Sequence, residues 1–545
     1  MFSYFDLSRI PTLGLIVLAV IAAGYTLRGL WQFSRRFFTP IRHLPGPSRR
    51  SWLWGNAAAV LQDDACLCEW TEQFGVAYRL PSMLGKCRLN TIDPRAVGHI
   101  LSHTDIYPKA EHARTLLRAA IGEGLVVAEG DTHKRQRKIM NPSFAPIQIR
   151  EATPIFFEIS YQLRDVLNEL QGMAVSTQGV ELDMFAWIGR ASLEIIGLAG
   201  FGYRFNCLVD ESNELFHAYH DMEQELGRNP LTDLLKDRFK FLRRIPGFRN
   251  PVMDAALNTT HRVGTELVMK RKAEVFEEMQ SKFGQNGKIA GRDVLTALIR
   301  ANMAAGVSEN QQMSDREVLA QISTFIIAGH ETSASAVTWT LMSLAQYPEV
   351  QGKLREELSL VSQDMPTMDD LNALPYLDIV VKESLRLHSP VHYSLRVAKQ
   401  DDTIPLLHPI VDRYGRKLDH LRVQAGDFVG VEIMPMNRST ALWGPDAGDF
   451  RPDRWNEETT GAKEISGVYA HTLTFIGGPR ACIGYRFAIT EMKAILFALI
   501  REFEFVPVPG KEIAVKNVIV ARPYVKGEGT RLQLPLLVKR VSRAA

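Results

Sequence analysis

The stretch "FIGGPRACIG", Phe475–Gly484, sets one cysteine among three glycines, a proline and an arginine, just before an apolar helical run. The other cysteines, Cys66, Cys68, Cys87 and Cys207, lie far upstream, so Cys482 has no near neighbour for a disulfide or a paired-cysteine zinc site. Glycines 477, 478 and 484 let the backbone turn tightly and approach a flat group, while a helix starting near Ile483 turns its positive end towards the sulfur. Both features favour a thiolate. A buried free cysteine is the bland alternative.

Working outward, Met313–Tyr347 carries the longest helical pattern, with Ser314 and Glu317 spaced as a capping box and Pro348 beyond its end. Its middle reads "AGHET", Ala328–Thr332. An interior glycine costs about 1 kcal/mol relative to alanine, which predicts that something needs room there, with a helix bent for packing as the alternative. A second helix, "YLDIVVKESLRLHSP", Tyr376–Pro390, puts Glu383 and Arg386 at i,i+3. Alone, such a pair reads as a solvated surface contact.

Tyr78–Pro94 is strand-like, helical periodicity runs from Arg95 to Leu387, and Arg416–Val431 reads as two short strands around a turn at Ala425 and Gly426. "IAVKNVIVARPYV", Ile513–Val525, and "RLQLPLLVKRV", Arg531–Val541, are β-rich. No internal repeat is visible. The predicted architecture is mostly α with minor β. The 545 residues, 46% apolar and 23% charged with net charge +3, are those of an ordinary globular chain and give no sign of nucleic-acid binding. Five irregularly spaced cysteines suit a reducing compartment.

The N-terminus departs from that average. Ile10–Leu27 is free of charge and close to the minimum of roughly 18 residues for a spanning helix. Arg28, Arg35, Arg36 and Arg42 follow it, so the positive-inside bias leaves the rest of the chain in the cytosol. A cleaved signal peptide is the alternative, although no basic cluster opens the chain. "HLPGP", His43–Pro47, stiffens the exit. The division expected is a tail at 1–9, a transmembrane anchor at 10–30, a basic, proline-containing hinge at 31–47 and one large domain at 48–545. Asn258 and Asn437 open glycosylation sequons that a cytosolic domain leaves bare. Leu235–Phe248 mixes basic and apolar residues as a membrane-surface segment would.

Together these pieces resemble the cytochrome P450 family, the haem-thiolate monooxygenases, from about Leu44 to the C-terminal strands. Phe475, Gly478, Arg480, Cys482 and Gly484 fill every fixed place of the family's cysteine loop; "ESLR" matches its Glu-x-x-Arg helix, "FRPDRW" (Phe450–Trp455) the segment whose arginine joins that pair, and "AGHET" its oxygen-binding helix. The resemblance implies haem b with Cys482 as the iron's axial ligand, the thiolate favouring O–O cleavage as is known for this family. It further implies that Arg480 meets a propionate, that Phe475 packs beside the sulfur, and that Ala328 and Gly329 border a groove for dioxygen. Thr332 and Glu331 then serve proton delivery. Glu383, Arg386 and Arg454 form a buried structural network.

The family's usual Trp-x-x-x-Arg on the propionate-contacting helix is "HKRQR" here, carrying over to His133 and Arg137, with a solvent-facing histidine left open. Arg396 is a further propionate candidate, or a surface arginine. The motifs lie far apart in sequence yet must gather round one ring, hence one domain. The resemblance to fungal microsomal members implies a single-pass anchor in the endoplasmic reticulum and a separate NADPH-cytochrome P450 reductase, docking where Lys134, Arg135 and Lys138 add positive charge. It also implies O2 and an apolar small-molecule substrate such as a terpenoid of secondary metabolism. Candidate pocket segments are Ala113–Val127, Phe325 with Ile326, Val391–Ser394 and Val518–Ala521, each of which could equally be ordinary core. A peroxide isomerase or dehydratase of the same fold, and a non-catalytic haem sensor, are the alternatives.

Overall fold

The computed structural model describes residues 20, 23–24, 26–27, 38–63, 65–173, 179–210, 213–225, 250–281, 293–303, 312–457, 461–517, 519–529 and 531–541. The described residues are mostly helical with four small sheets. Its centre is the helix Asp315–Gln346, whose Ser314 and Glu317 form the expected reciprocal capping box. Against it packs Met184–Phe201, among the described residues the one helix long and apolar enough to cross a membrane, but with 67% of that window buried inside the protein. It is a core helix, mostly apolar because most of it packs against protein.

The anchor expected at 10–30 and the segment Leu235–Phe248 lie outside the described residues, apart from helical residues 20, 23–24, 26 and 27. Behind the central helix, Tyr485–Ile500 lies on Pro146–Gly172, with Phe487 against Phe156 and Phe497 against Phe157 at ring separations of 4.7 and 5.6 Å. A second, smaller core sits under a four-stranded sheet ordered Ala77–Pro81, Cys87–Thr91, Phe428–Glu432, Tyr393–Val397.

The two strands expected within Arg416–Val431 are present, and Gly426 turns between them at φ +92°. They are not a hairpin. Lys417–Val423 pairs with Asp402–Val411, whereas Phe428–Glu432 joins the four-stranded sheet. Ile513–Asn517 and Ala521–Val525 do form a hairpin, and the Ala521 carbonyl accepts from Ser335 Oγ (2.7 Å) and Trp339 Nε1 (3.2 Å), which pins it to the central helix.

Candidate active site

The cysteine loop is held from beneath by a buried charge network. Arg386 donates to both Glu383 oxygens at 2.9 and 2.8 Å, and Arg454 reaches Glu383 at 3.0 Å and Asp446 at 2.9 Å. Glu383, Arg386 and Arg454 are buried, so the solvated-pair reading of Glu383 and Arg386 is overturned: tertiary packing has closed over both. The network reaches the loop through Asn437. Arg386 Nη1 donates to the Asn437 carbonyl at 2.8 Å, and the Asn437 side chain binds Leu473 N and Thr474 Oγ1, each at 2.9 Å. Thr474 Oγ1 donates back to the Leu385 carbonyl at 2.7 Å, and one residue on the Phe475 carbonyl accepts from Cys482 N at 2.9 Å.

Within the loop, Gly478 has φ +68° and a side chain there would lie 2.8 Å from the Leu101 carbonyl; at Gly477 it would lie 1.9 Å from the Ser466 carbonyl. These two positions require glycine. Gly484 does not on backbone grounds: it caps the helix at ordinary φ, and that helix begins at Tyr485 rather than near Ile483. Cys482 retains accessible surface although protein surrounds it, so its thiol opens on an internal cleft. Burial pushes the thiol up, while the Gly484 N–H and the Arg137 guanidinium pull it down.

Beside the loop gathers a set of cations. Arg137 donates to the Ala481 carbonyl, and Arg480 donates to the Ala128 carbonyl at 2.6 Å and pairs with Glu129. His133 and Arg396 are buried, at 6% and 3% exposure, so neither the solvent-facing histidine nor the surface arginine is found. Burial, then Arg480, Lys109 and Arg137, hold the His133 imidazole down to about 3, leaving it neutral. Burial also lowers Arg396 to about 10 and Lys109 well below its usual range, with Arg480 adding repulsion to each. The cations Lys109, Arg137, Arg396 and Arg480, with neutral His133 and with Arg114 close by, therefore outnumber the carboxylates that act on them, Glu129 and, on Arg480, Asp105. Such a cluster calls for further anions from outside the chain. Lys109 and Glu129 went unnoticed in the sequence, where neither sits in a motif.

On the central helix, Ala328, Gly329 and Thr332 keep some exposure although Ile326, His330 and Ser333 beside them are buried, which marks a cleft along this stretch. Thr332 Oγ1 donates to the Ala328 carbonyl at 2.6 Å. Glu331 is bound by Arg522 at 2.5 Å. The room expected at Gly329 has a nearer cause than an oxygen groove, since a side chain there would meet Ile196 at 3.0 Å: the glycine lets the Met184–Phe201 helix approach. Loop residues join this wall at Leu125, whose N–H donates to Gln321 Oε1 at 2.9 Å. Lys134 and Lys138 are exposed, whereas Arg135 turns inward to Glu317 and the Gln312 carbonyl, which removes it from the basic face expected there.

The cytochrome P450 family model matches residues 45–523. Cytochrome P450 monooxygenase 128 of Postia placenta is 44% identical over 92% of this chain and 93% of its own. Cytochrome P450 monooxygenase 205 of the same fungus is 43% identical over the same shares. Cytochrome P450 monooxygenase claW of Ampulloclitocybe clavipes is 33% identical over 96% of this chain and 98% of its own. The chain belongs to the cytochrome P450 family, and it is an oxidoreductase.

That family's cofactor is haem bound through a cysteine thiolate, and the residues present fit it. Among the described residues no group of three or more His, Cys, Asp or Glu could hold a bare ion. A lone cleft-facing thiol therefore suits a metal whose remaining ligands come with the cofactor, and the surplus of buried cations suits its two carboxylates.

Proposed function

We propose that this chain is a membrane-anchored monooxygenase that inserts one oxygen atom of O2 into an apolar small molecule of fungal secondary metabolism, such as a terpenoid. Electrons come from NADPH through a separate reductase. The observation that carries the reading is the Cys482 thiol, opening on an enclosed cleft beside a cluster of basic side chains that lacks enough anions of its own. Haem, when bound, supplies the oxygen-activating chemistry through its thiolate ligand.

The chain's residues divide the remaining work. Cys482 provides the ligand, held in place through Asn437, Thr474 and the Phe475 carbonyl. His133, Arg137, Arg396, Arg480 and Lys109 take the carboxylates, with neutral His133 as a hydrogen-bond partner. Phe475, Gly478 and Gly484 shape the loop around the sulfur. Thr332 presents a hydroxyl whose proton rests on the Ala328 carbonyl, and Glu331 brings protons to it. The Glu331–Arg522 pair must loosen before that carboxyl passes a proton on. Lys134 and Lys138 remain as exposed charges for the reductase.

The test is reconstitution of the full chain with NADPH-cytochrome P450 reductase. NADPH- and O2-dependent product is expected; product formed from a hydroperoxide without reductase or O2 would overturn the reading in favour of an isomerase. Topology is tested at Asn258, which is exposed and should carry no sugar. Asn437 is uninformative, because it is buried and its side chain is bonded within the fold whichever side of the membrane it occupies.

A further inference from the structure

We propose that His99 and His103 form a surface site for a divalent transition-metal ion of the zinc, nickel and copper group, with Asp402 orienting one of the two ligands. The site lies outside the haem pocket and does not depend on the oxidation chemistry. Both histidines stand at the C-terminal end of the helix Pro94–Ser102, where the His103 N–H closes the last turn on the His99 carbonyl at 3.1 Å. Histidines at this i,i+4 spacing share one helix face and can share one ion, as the pair in the His-Glu-x-x-His motif does. Their ring centres are 4.2 Å apart. Zinc bonds an imidazole nitrogen at about 2.0–2.1 Å, so one ion spans that gap.

Each ring has one nitrogen engaged from behind. His99 Nε2 donates to Asp402 Oδ2 at 2.9 Å, and the same oxygen accepts from the Tyr107 hydroxyl at 2.7 Å. His103 Nδ1 donates to the His99 carbonyl at 2.8 Å. These bonds fix the tautomers and put the lone pairs on His99 Nδ1 and His103 Nε2. A carboxylate or carbonyl behind each imidazole is the arrangement that orients metal-binding histidines and raises their basicity. Ring stacking on a surface helix requires none of it.

The helix beneath the pair is tethered to one strand at two points. At its start Asp93 caps Ala96 N at 2.9 Å and accepts from Leu407 N at 3.0 Å; near its end His99 reaches Asp402 on the same strand, Asp402–Val411. His99 is thereby held in place, while exposed His103 is free to adjust to an ion. The His99 side chain is 18% exposed, so solvent reaches both ligands. Among the described residues no group of three or more His, Cys, Asp or Glu could hold an ion, so water completes the shell and the ion exchanges freely. Two imidazoles also select the metal, since magnesium and calcium take oxygen ligands.

The test uses the full haem-loaded chain, purified without a polyhistidine tag and dialysed against micromolar zinc sulfate in excess magnesium, with zinc and iron counted in the same sample by elemental mass spectrometry. Zinc equimolar with haem iron is expected. His103→Gln alters an exposed side chain and should keep full haem content while weakening zinc binding at least tenfold. Asp402→Asn should weaken it by about tenfold, the usual loss when a partner behind a ligating histidine is changed. Zinc missing from the haem-loaded wild type, or bound undiminished by a chain carrying both His99→Gln and His103→Gln, would overturn the proposal. So would unchanged affinity in Asp402→Asn, which would reduce the pair to a chance contact of two surface rings.

Discussion

Arg522 on the C-terminal hairpin closes on Glu331 in the middle of the central helix, 2.5 Å from nitrogen to oxygen, with each side chain 6% exposed. The hairpin is fixed there by Ser335 and Trp339, which both donate to the Ala521 carbonyl. The residue next to Thr332 is thus part of a clamp between two elements. Arg522→Leu strands a buried carboxylate, which should destabilise the protein by about 3–5 kcal/mol. Arg522→Lys keeps the charge without the planar fork, so it should retain fold and haem but yield less product per NADPH, as measured by thermal unfolding and by the product-to-NADPH ratio.

Thr332→Ala removes the hydroxyl that donates to Ala328 without touching any group of the cysteine loop. Haem content and the carbon monoxide spectrum should match the wild type, and NADPH should still be consumed. Product per NADPH should fall and hydrogen peroxide rise by several-fold, read by quantifying both in one assay. Unchanged coupling would take Thr332 out of proton delivery.

In the network below the loop, Glu383→Gln leaves Arg386 and Arg454 facing each other with their shared countercharge gone. Breaking a buried pair in this way costs about 3–5 kcal/mol. Because that network reaches Cys482 through Asn437 and Thr474, the expected result is a large loss of haem-loaded protein at unchanged synthesis of the chain, read as haem per polypeptide.

The cysteine loop and the Glu383–Arg386–Arg454 network were legible because each is specified by residues close together in sequence or by a motif fixing several positions at once. Lys109 and Arg522 were not. Arg522 meets Glu331 across 191 residues, and nothing near "ARPY" says which carboxylate it will find. Gly329 was noticed for the right reason, lack of a side chain, but the neighbour needing that space is Ile196 on another helix, a fact of packing that periodicity does not contain. Arg135 looked like its exposed neighbours Lys134 and Lys138 because a run of basic residues does not reveal which one turns inward to Glu317. Arg396 and His133 could be singled out from the sequence, but their burial could not, because it depends on elements far away in the chain.

Glu491 gives the fold a pH dependence. Burial raises its carboxyl to about 7, against hydrogen bonds from Ser192 and Ser333 and the nearby His330, so it is protonated in the folded protein where an exposed glutamate has ionised. A raised carboxyl binds its proton more tightly folded than unfolded, so stability is greatest below the ordinary glutamate range and is lost as pH rises towards and through about 7. The full loss is at most about 3 kcal/mol. Glu491→Gln removes the ionisation, and its unfolding temperature should fall less than that of the wild type between pH 5 and pH 8.

The most direct measurement is the difference spectrum of the reduced, carbon-monoxide-treated full chain beside Cys482→Ser. The wild type should show the absorption band diagnostic of a thiolate-bound haem, and Cys482→Ser should lack it together with all NADPH-dependent product. A thiolate band that survives in Cys482→Ser, or its absence from haem-loaded wild type, would contradict Cys482 as the ligand.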